Sequence, residues 1–102
     1  VVREVSCREA RDALGRRRLV DVRTPWEWDL VHVPGSERLD EALLAALTAL
    51  PRDTPLAFLC HHGIRSAGAA AHFARLGFTD LWNVAGGIEA WAEELDPTLP
   101  RY

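Results

Sequence analysis

The segment Cys60-His61-His62-Gly63-Ile64-Arg65-Ser66 places one nucleophile ahead of a glycine, a cation and a hydroxyl within seven residues. A thiol becomes a nucleophile only as its thiolate, which forms near neutral pH where backbone N–H groups, a helix N-terminus or a cation stabilise the sulfur anion. Gly63 permits a positive φ, which lets a loop fold back around the sulfur. If Ser66 opens a helix, that helix's first-turn amides and the loop N–H groups of residues 61–66 converge into an anion nest. Arg65 can offer a planar fork of donors to a substrate oxyanion such as a sulfonate. Ser66 is expected to cap the helix. His61 and His62 line the mouth, with proton donation as the alternative. A metal is not expected, because adjacent histidines and a single cysteine lack ordinary zinc spacing. The second cysteine, Cys7, falls early in an amphipathic helical pattern and is expected to be a small buried hydrophobe.

The elements that must position Cys60 follow from the apolar pattern. Leu56-Ala57-Phe58-Leu59 is a continuous apolar run, the mark of a strand buried on both faces, and Cys60 stands at its carboxyl end. An Ala-rich helix follows from Ser66 to Leu76 and stops at Gly77. Val1–Val5, Leu19–Val22 and Phe78–Val84 are further strand candidates. Ser6-Cys7-Arg8-Glu9 and Thr24-Pro25-Trp26-Glu27 each read as a helix-opening capping box, the second with proline at the first helical position. Asp40 caps a helix over Glu41–Leu50 with Leu43, Leu44, Leu47 and Leu50 as its apolar stripe, and Ile88–Leu95 forms the last helix. Strands alternating with helices give an α/β fold with a parallel sheet covered on both faces, and ligands in such sheets bind beyond the carboxyl ends of the strands.

Composition bounds the reading. A chain of 102 residues fits a single domain, 1–102, and 48% apolar residues suffice for one core. A net charge of −3 argues against nonspecific nucleic-acid binding. Arg16-Arg17-Arg18 is the one basic cluster, expected to be a solvated loop or helix end, with contact to an acidic partner as the alternative. No apolar run approaches a membrane span, and no basic-then-apolar leader is present. Two cysteines do not make a disulfide framework, so free thiols in a reducing cytoplasm are expected, with Cys7–Cys60 pairing as the alternative. The lack of Met fits a processed protein or a domain of something longer.

Four segments resemble the single-domain rhodanese (thiosulfate sulfurtransferase-like) family. They are Leu19-Val20-Asp21-Val22-Arg23 with Glu27, His32-Val33-Pro34-Gly35, the Cys60–Ser66 loop, and Asn83-Val84-Ala85-Gly86-Gly87-Ile88-Glu89-Ala90-Trp91. The resemblance runs from about Ser6 to Leu95. It implies a sheet of about five parallel strands and a double displacement needing no cofactor. Cys60 would take sulfane sulfur from thiosulfate or a similar donor as a persulfide, held by the amides of His61 to Ser66, with Arg65 clamping the donor. Cyanide or a thiol would then remove the sulfur. Implied partners are small sulfur-containing anions or thiols, with a sulfur-donor or acceptor protein as an extension. Asp21, Arg23 and Glu27 match positions that brace the scaffold. Two departures bear on local geometry: Val31 stands where the family has glycine, and Ser36-Glu37-Arg38 replaces a small residue followed by an apolar strand.

Two rivals differ in class. One is a rhodanese fold serving only as a binding or regulatory module, yet Cys60, Gly63, Arg65 and Ser66 are all kept. The other is a Cys-dependent phosphatase or arsenate reductase, whose loop places five residues between Cys and Arg where this one has four. The shorter loop suits sulfur better than a tetrahedral phosphate.

Overall fold

A computed structural model describes residues 1–102. Ten elements alternate along the chain: β1 (Val2–Val5), α1 (Cys7–Asp12), β2 (Arg18–Asp21), α2 (Pro25–Leu30), β3 (Ser36–Arg38), α3 (Glu41–Thr48), β4 (Leu56–Leu59), α4 (Ile64–Arg75), β5 (Leu81–Val84) and α5 (Gly87–Glu94). The strands form one parallel sheet in the order β1-β5-β4-β2-β3. β4 lies at its centre, which is why all four of its residues are buried.

The period-2 alternation of the strands divides the core between the two faces. Leu19, Ala57, Leu59 and Val84 pack with Val5, Ile88 and Trp91 on the α1–α5 side. Val20, Leu56, Phe58 and Leu81 pack with Leu47, Ala70, Phe73 and Phe78 on the other. Cys7 belongs to the first cluster and is 2% exposed, so it is the packed hydrophobe its position suggested. Both cysteines are free, and no disulfide joins them.

Several expectations are corrected. β3 was not legible as a strand, because its three residues are polar and half-buried. It pairs with β2 at the sheet edge, held by the backbone register and by Arg18 donating to Glu37 at 2.9 and 2.7 Å. The departure at Ser36-Glu37-Arg38 therefore keeps the strand and changes only its chemistry. The arginine run is not a solvated loop. Arg17 donates to the carbonyls of Leu56 and Asp80 and to the Asp80 carboxylate, and lies 3.9 Å over the Trp82 ring. Arg18 is a β2 residue, and only Arg16 is exposed. α3 stops at Thr48 rather than Leu50, since a residue preceding proline, here Pro51, disfavours helical backbone. Leu44 lies at the exposed margin of its stripe, whereas Leu47 is fully buried. The last strand begins at Leu81, leaving Phe78 as a core residue in the connection. No helix is long and apolar enough to cross a membrane.

Candidate functional site

β4 delivers Cys60 to the carboxyl edge of the sheet, and the chain then turns directly into α4. Gly63 makes that turn at φ 98° as the residue before the helix. A Cβ there would stand 3.2 Å from both Gly86 N and Val84 O, so a side chain would have to press on backbone as well as adopt a strained φ. The helix begins at Ile64, two residues before the start expected at Ser66. Ser66 is therefore not the cap. It is the third helical residue, fully buried, and its side chain turns toward the sulfur.

The sulfur receives donors from several directions. Gly63 N–H donates to Cys60 Sγ at 3.1 Å and the Ser66 hydroxyl lies 3.2 Å away. The free first-turn amides of α4 complete the cradle. Burial, with Cys60 only 1% exposed, is the largest single influence and pushes the thiol up. It is outweighed by the Ser66 hydroxyl together with the backbone N–H groups of Ser66, Gly63 and His62, and the net direction is down. The thiol thus lies beneath the mouth rather than openly at it.

The loop's carbonyls point the opposite way. Ile88 N–H donates to Cys60 O at 2.8 Å and Glu89 N–H to His61 O at 3.1 Å. The first turn of α5 therefore holds the carbonyls while the loop and first-turn amides of α4 face the sulfur. Gly87, at φ 59°, fits beneath this junction because a Cβ would come within 2.4 Å of both carbonyl oxygens.

Arg65 does not stand free as the expected clamp. Its Nη1 and Nη2 donate to the two carboxylate oxygens of Glu27 at 2.8 and 3.0 Å, and its side chain is 46% exposed. The ion pair holds Glu27 well below the usual carboxylate range against the opposing effect of burial, and raises Arg65 further. Glu27 also accepts from Thr24 N–H and the Thr24 hydroxyl, so the carboxylate of the α2 capping box also anchors the cation of the Cys60 loop. Behind it, Arg23 and Asp21 form a fully buried pair at 2.7 Å, and Arg23 also donates to the carbonyl of Val31 at 2.7 Å. Asp21, Arg23 and Glu27 thus brace the scaffold as the sequence suggested.

His61 and His62 stack on each other, and neither imidazole hydrogen-bonds the sulfur. Burial, and secondarily the neighbouring His62 imidazole, push His61 down from its ordinary value. Ile64 turns outward and is 81% exposed. Of the expected side chains, Ser66 alone meets the sulfur, while His61, His62, Gly63 and Ile64 contribute backbone or walls.

Three residues were missed. Tyr102 stacks on His61, and its hydroxyl donates to Glu27 and accepts from Arg23. Asn83 is 2% exposed and accepts from the Ser66 hydroxyl at 2.6 Å. Glu4 accepts from Asn83 Nδ2. A polar residue inside the apolar run Leu81–Val84 was the one available signal, for Asn83. Nothing local marked Glu4 or Tyr102.

Residues 6–94 match the family model of the rhodanese-like domain. The chain is 38% identical to the probable adenylyltransferase/sulfurtransferase MoeZ of Mycobacterium tuberculosis, with 96% of this chain and 26% of that protein covered. It thus spans about a quarter of that relative's length. It is also 38% identical to the thiosulfate sulfurtransferase GlpE of Pseudomonas paraeruginosa, covering 72% of this chain and 67% of the relative. Among solved structures, the human single-domain sulfurtransferase TSTD1 superimposes with a TM-score of 0.74 at 30% identity, covering 89% of this chain and 96% of that one.

Proposed function

This chain belongs to the rhodanese-like domain family, and from that premise we propose that it is a sulfurtransferase in which Cys60 carries the transferred sulfur as a persulfide. The observation that carries the reading is the buried Cys60 sulfur with Gly63 N–H at 3.1 Å and the Ser66 hydroxyl at 3.2 Å, at the carboxyl end of the central strand. Its relatives' names support thiosulfate as a donor.

In the first half-reaction, the Cys60 thiolate attacks the outer sulfur of thiosulfate. An S–S bond forms to Cys60 as the donor's S–S bond breaks, and sulfite leaves with that electron pair. In the second, cyanide or a thiolate attacks the outer persulfide sulfur, and the pair returned to Cys60 regenerates the thiolate. No net electron transfer occurs at the protein, and ping-pong kinetics follow from the single nucleophile. The amides that stabilise the thiolate also face the persulfide anion, so the loop needs no rearrangement between steps. Arg65 acts chiefly by holding the loop to α2 through Glu27.

Residues 1–102 act as one domain, with small sulfur anions or thiols as substrates and a sulfur-donor or acceptor protein as a further partner. A reducing compartment such as the cytoplasm keeps Cys60 in the thiol form the reaction requires.

Intact-mass measurement tests the reading. Thiosulfate should add one sulfur atom to the wild-type protein, and cyanide should remove it with release of thiocyanate. Cys60→Ser should neither gain the mass nor turn over; a variant that does both would place the carrier elsewhere.

A further inference from the structure

The Ser66 hydroxyl has one proton and two acceptors. Asn83 Oδ1 lies at 2.6 Å and Cys60 Sγ at 3.2 Å, and the hydroxyl can donate to only one fully. The Asn83 amide cannot turn to relieve this contest. Its Nδ2 donates to both Glu4 carboxylate oxygens and to Gly63 O, each at 3.0 Å, which fixes Oδ1 toward Ser66. Asn83 is itself buried, so the chain runs from the surface of β1 through β5 to the sulfur without a water-filled gap. A carboxylate accepting from an amide N–H polarises that amide and makes its oxygen a stronger acceptor.

We propose that Glu4 and Asn83 are positioning residues that withhold part of the Ser66 hydroxyl proton from Cys60. Glu4 strengthens the competing acceptor and Asn83 presents it. The pair thereby limits how readily the thiolate forms and how strongly it is held, and so sets the nucleophilicity of the sulfur carrier. The purpose of the device rests on the sulfur-carrier reading; its chemistry does not.

The other ionisable groups around the loop are already engaged. Arg65 from α4 is paired with Glu27 of α2, Asp21 of β2 with Arg23, and Glu89 of α5 with Arg101. Tyr102 bridges Arg23 and Glu27, and His61 stacks between His62 and Tyr102. None of them hydrogen-bonds Ser66 or Asn83.

Glu4 is exposed, so Glu4→Gln is compatible with the fold, and Asn83 keeps its bond to Gly63 O. The readout is the pH profile of Cys60 alkylation, followed by intact mass in a Cys7→Ala background. Glu4→Gln should move the profile to lower pH and speed alkylation on its acidic limb by about threefold, a shift of about half a pKa unit. The same change should have no effect once Ser66→Ala or Asn83→Ala has broken the chain. Two backgrounds are used so that the measurement survives if one does not fold. An unmoved or oppositely moved profile overturns the proposal. An equal shift in the broken backgrounds also overturns it, because the carboxylate would then act through space alone. Alkylation requires no sulfur donor, so the proposal can stand where the persulfide reading fails, and the reverse.

Discussion

Replacing Gly87 by alanine tests the division of labour at the Cys60 loop most directly. The added Cβ would lie 2.4 Å from Cys60 O and His61 O and 2.5 Å from the His61 carbonyl carbon. All three are backbone atoms, held by Ile88 N–H at 2.8 Å and Glu89 N–H at 3.1 Å, so no flexible side chain can yield. Relief requires the loop to retreat by about 0.6 Å, which strains overpacked backbone and lengthens two hydrogen bonds. The φ of 59° adds the left-handed penalty of a residue with a side chain. Together these cost about 3–5 kcal/mol. At about 4–8 °C per kcal/mol for a domain of this size, the thermal midpoint should fall by at least about 12 °C. Below that midpoint the folded variant should transfer sulfur from thiosulfate to cyanide about a hundredfold more slowly, because displaced amides no longer face the sulfur anion. The control is Gly68→Ala in α4, where a Cβ meets nothing and alanine should stabilise by about 0.5–1 kcal/mol. A Gly87→Ala protein melting within about 3 °C of wild type with turnover within about twofold would refute the claim that α5 sets the loop.

The remaining predictions use other parts of the site. Iodoacetamide should label Cys60 with a pH profile centred below that of an unperturbed thiol, while Cys7, pushed up by burial and then by Glu94, should stay unlabelled in the folded protein. Preferential labelling of Cys7 would reverse the assignment of the two thiols. Asp21→Asn leaves Arg23 charged in a site where both side chains are fully buried, and should cost about 3–5 kcal/mol in urea unfolding. Glu27 is depressed in the folded state, so its stabilisation is present above the unfolded carboxyl pKa of about 4.3 and is lost as pH falls below it. Glu27→Gln should therefore flatten the acid limb of stability measured by urea midpoints from about pH 5 downward, modestly because Arg65 is half-exposed. An unchanged acid limb would show that the pair does not contribute.

What was legible in the sequence was what lies close together in it. The Cys60 loop is contiguous, its strand is apolar throughout, and its glycine makes the turn, so the candidate cysteine and its position at the end of the central strand could both be read. β3 was not, because an edge strand needs backbone partners more than apolar side chains, and its Arg18–Glu37 pair joins residues 19 apart. The start of α4 was misplaced because Gly63 turns the chain without a side-chain cap, leaving Ser66 free for another task. The partners of the site escaped for the same reason of distance: Arg65 to Glu27 spans 38 positions, Ser66 to Asn83 spans 17, and Asn83 to Glu4 spans 79. Local pattern carries no trace of such pairings, although a lone Asn in a buried apolar run signals that some partner exists.

The pairing of Arg65 with Glu27 bears on how a sulfur anion at Cys60 would be held. A free guanidinium at the mouth would be half in water, where screening weakens its pull on a buried thiolate. Backbone dipoles have neither handicap. They carry no net charge to desolvate, they are fixed by the fold before the anion forms, and they act inside the low-dielectric volume that burial creates. The burial that raises the Cys60 thiol thus strengthens each donor that lowers it, and the donors prevail. A persulfide moves the negative charge outward by about 2 Å, the length of an S–S bond. Several fixed donors tolerate that displacement better than a single point charge does. On the proposed sulfurtransferase reading, such an arrangement lets sulfur arrive and leave with little change in loop energy.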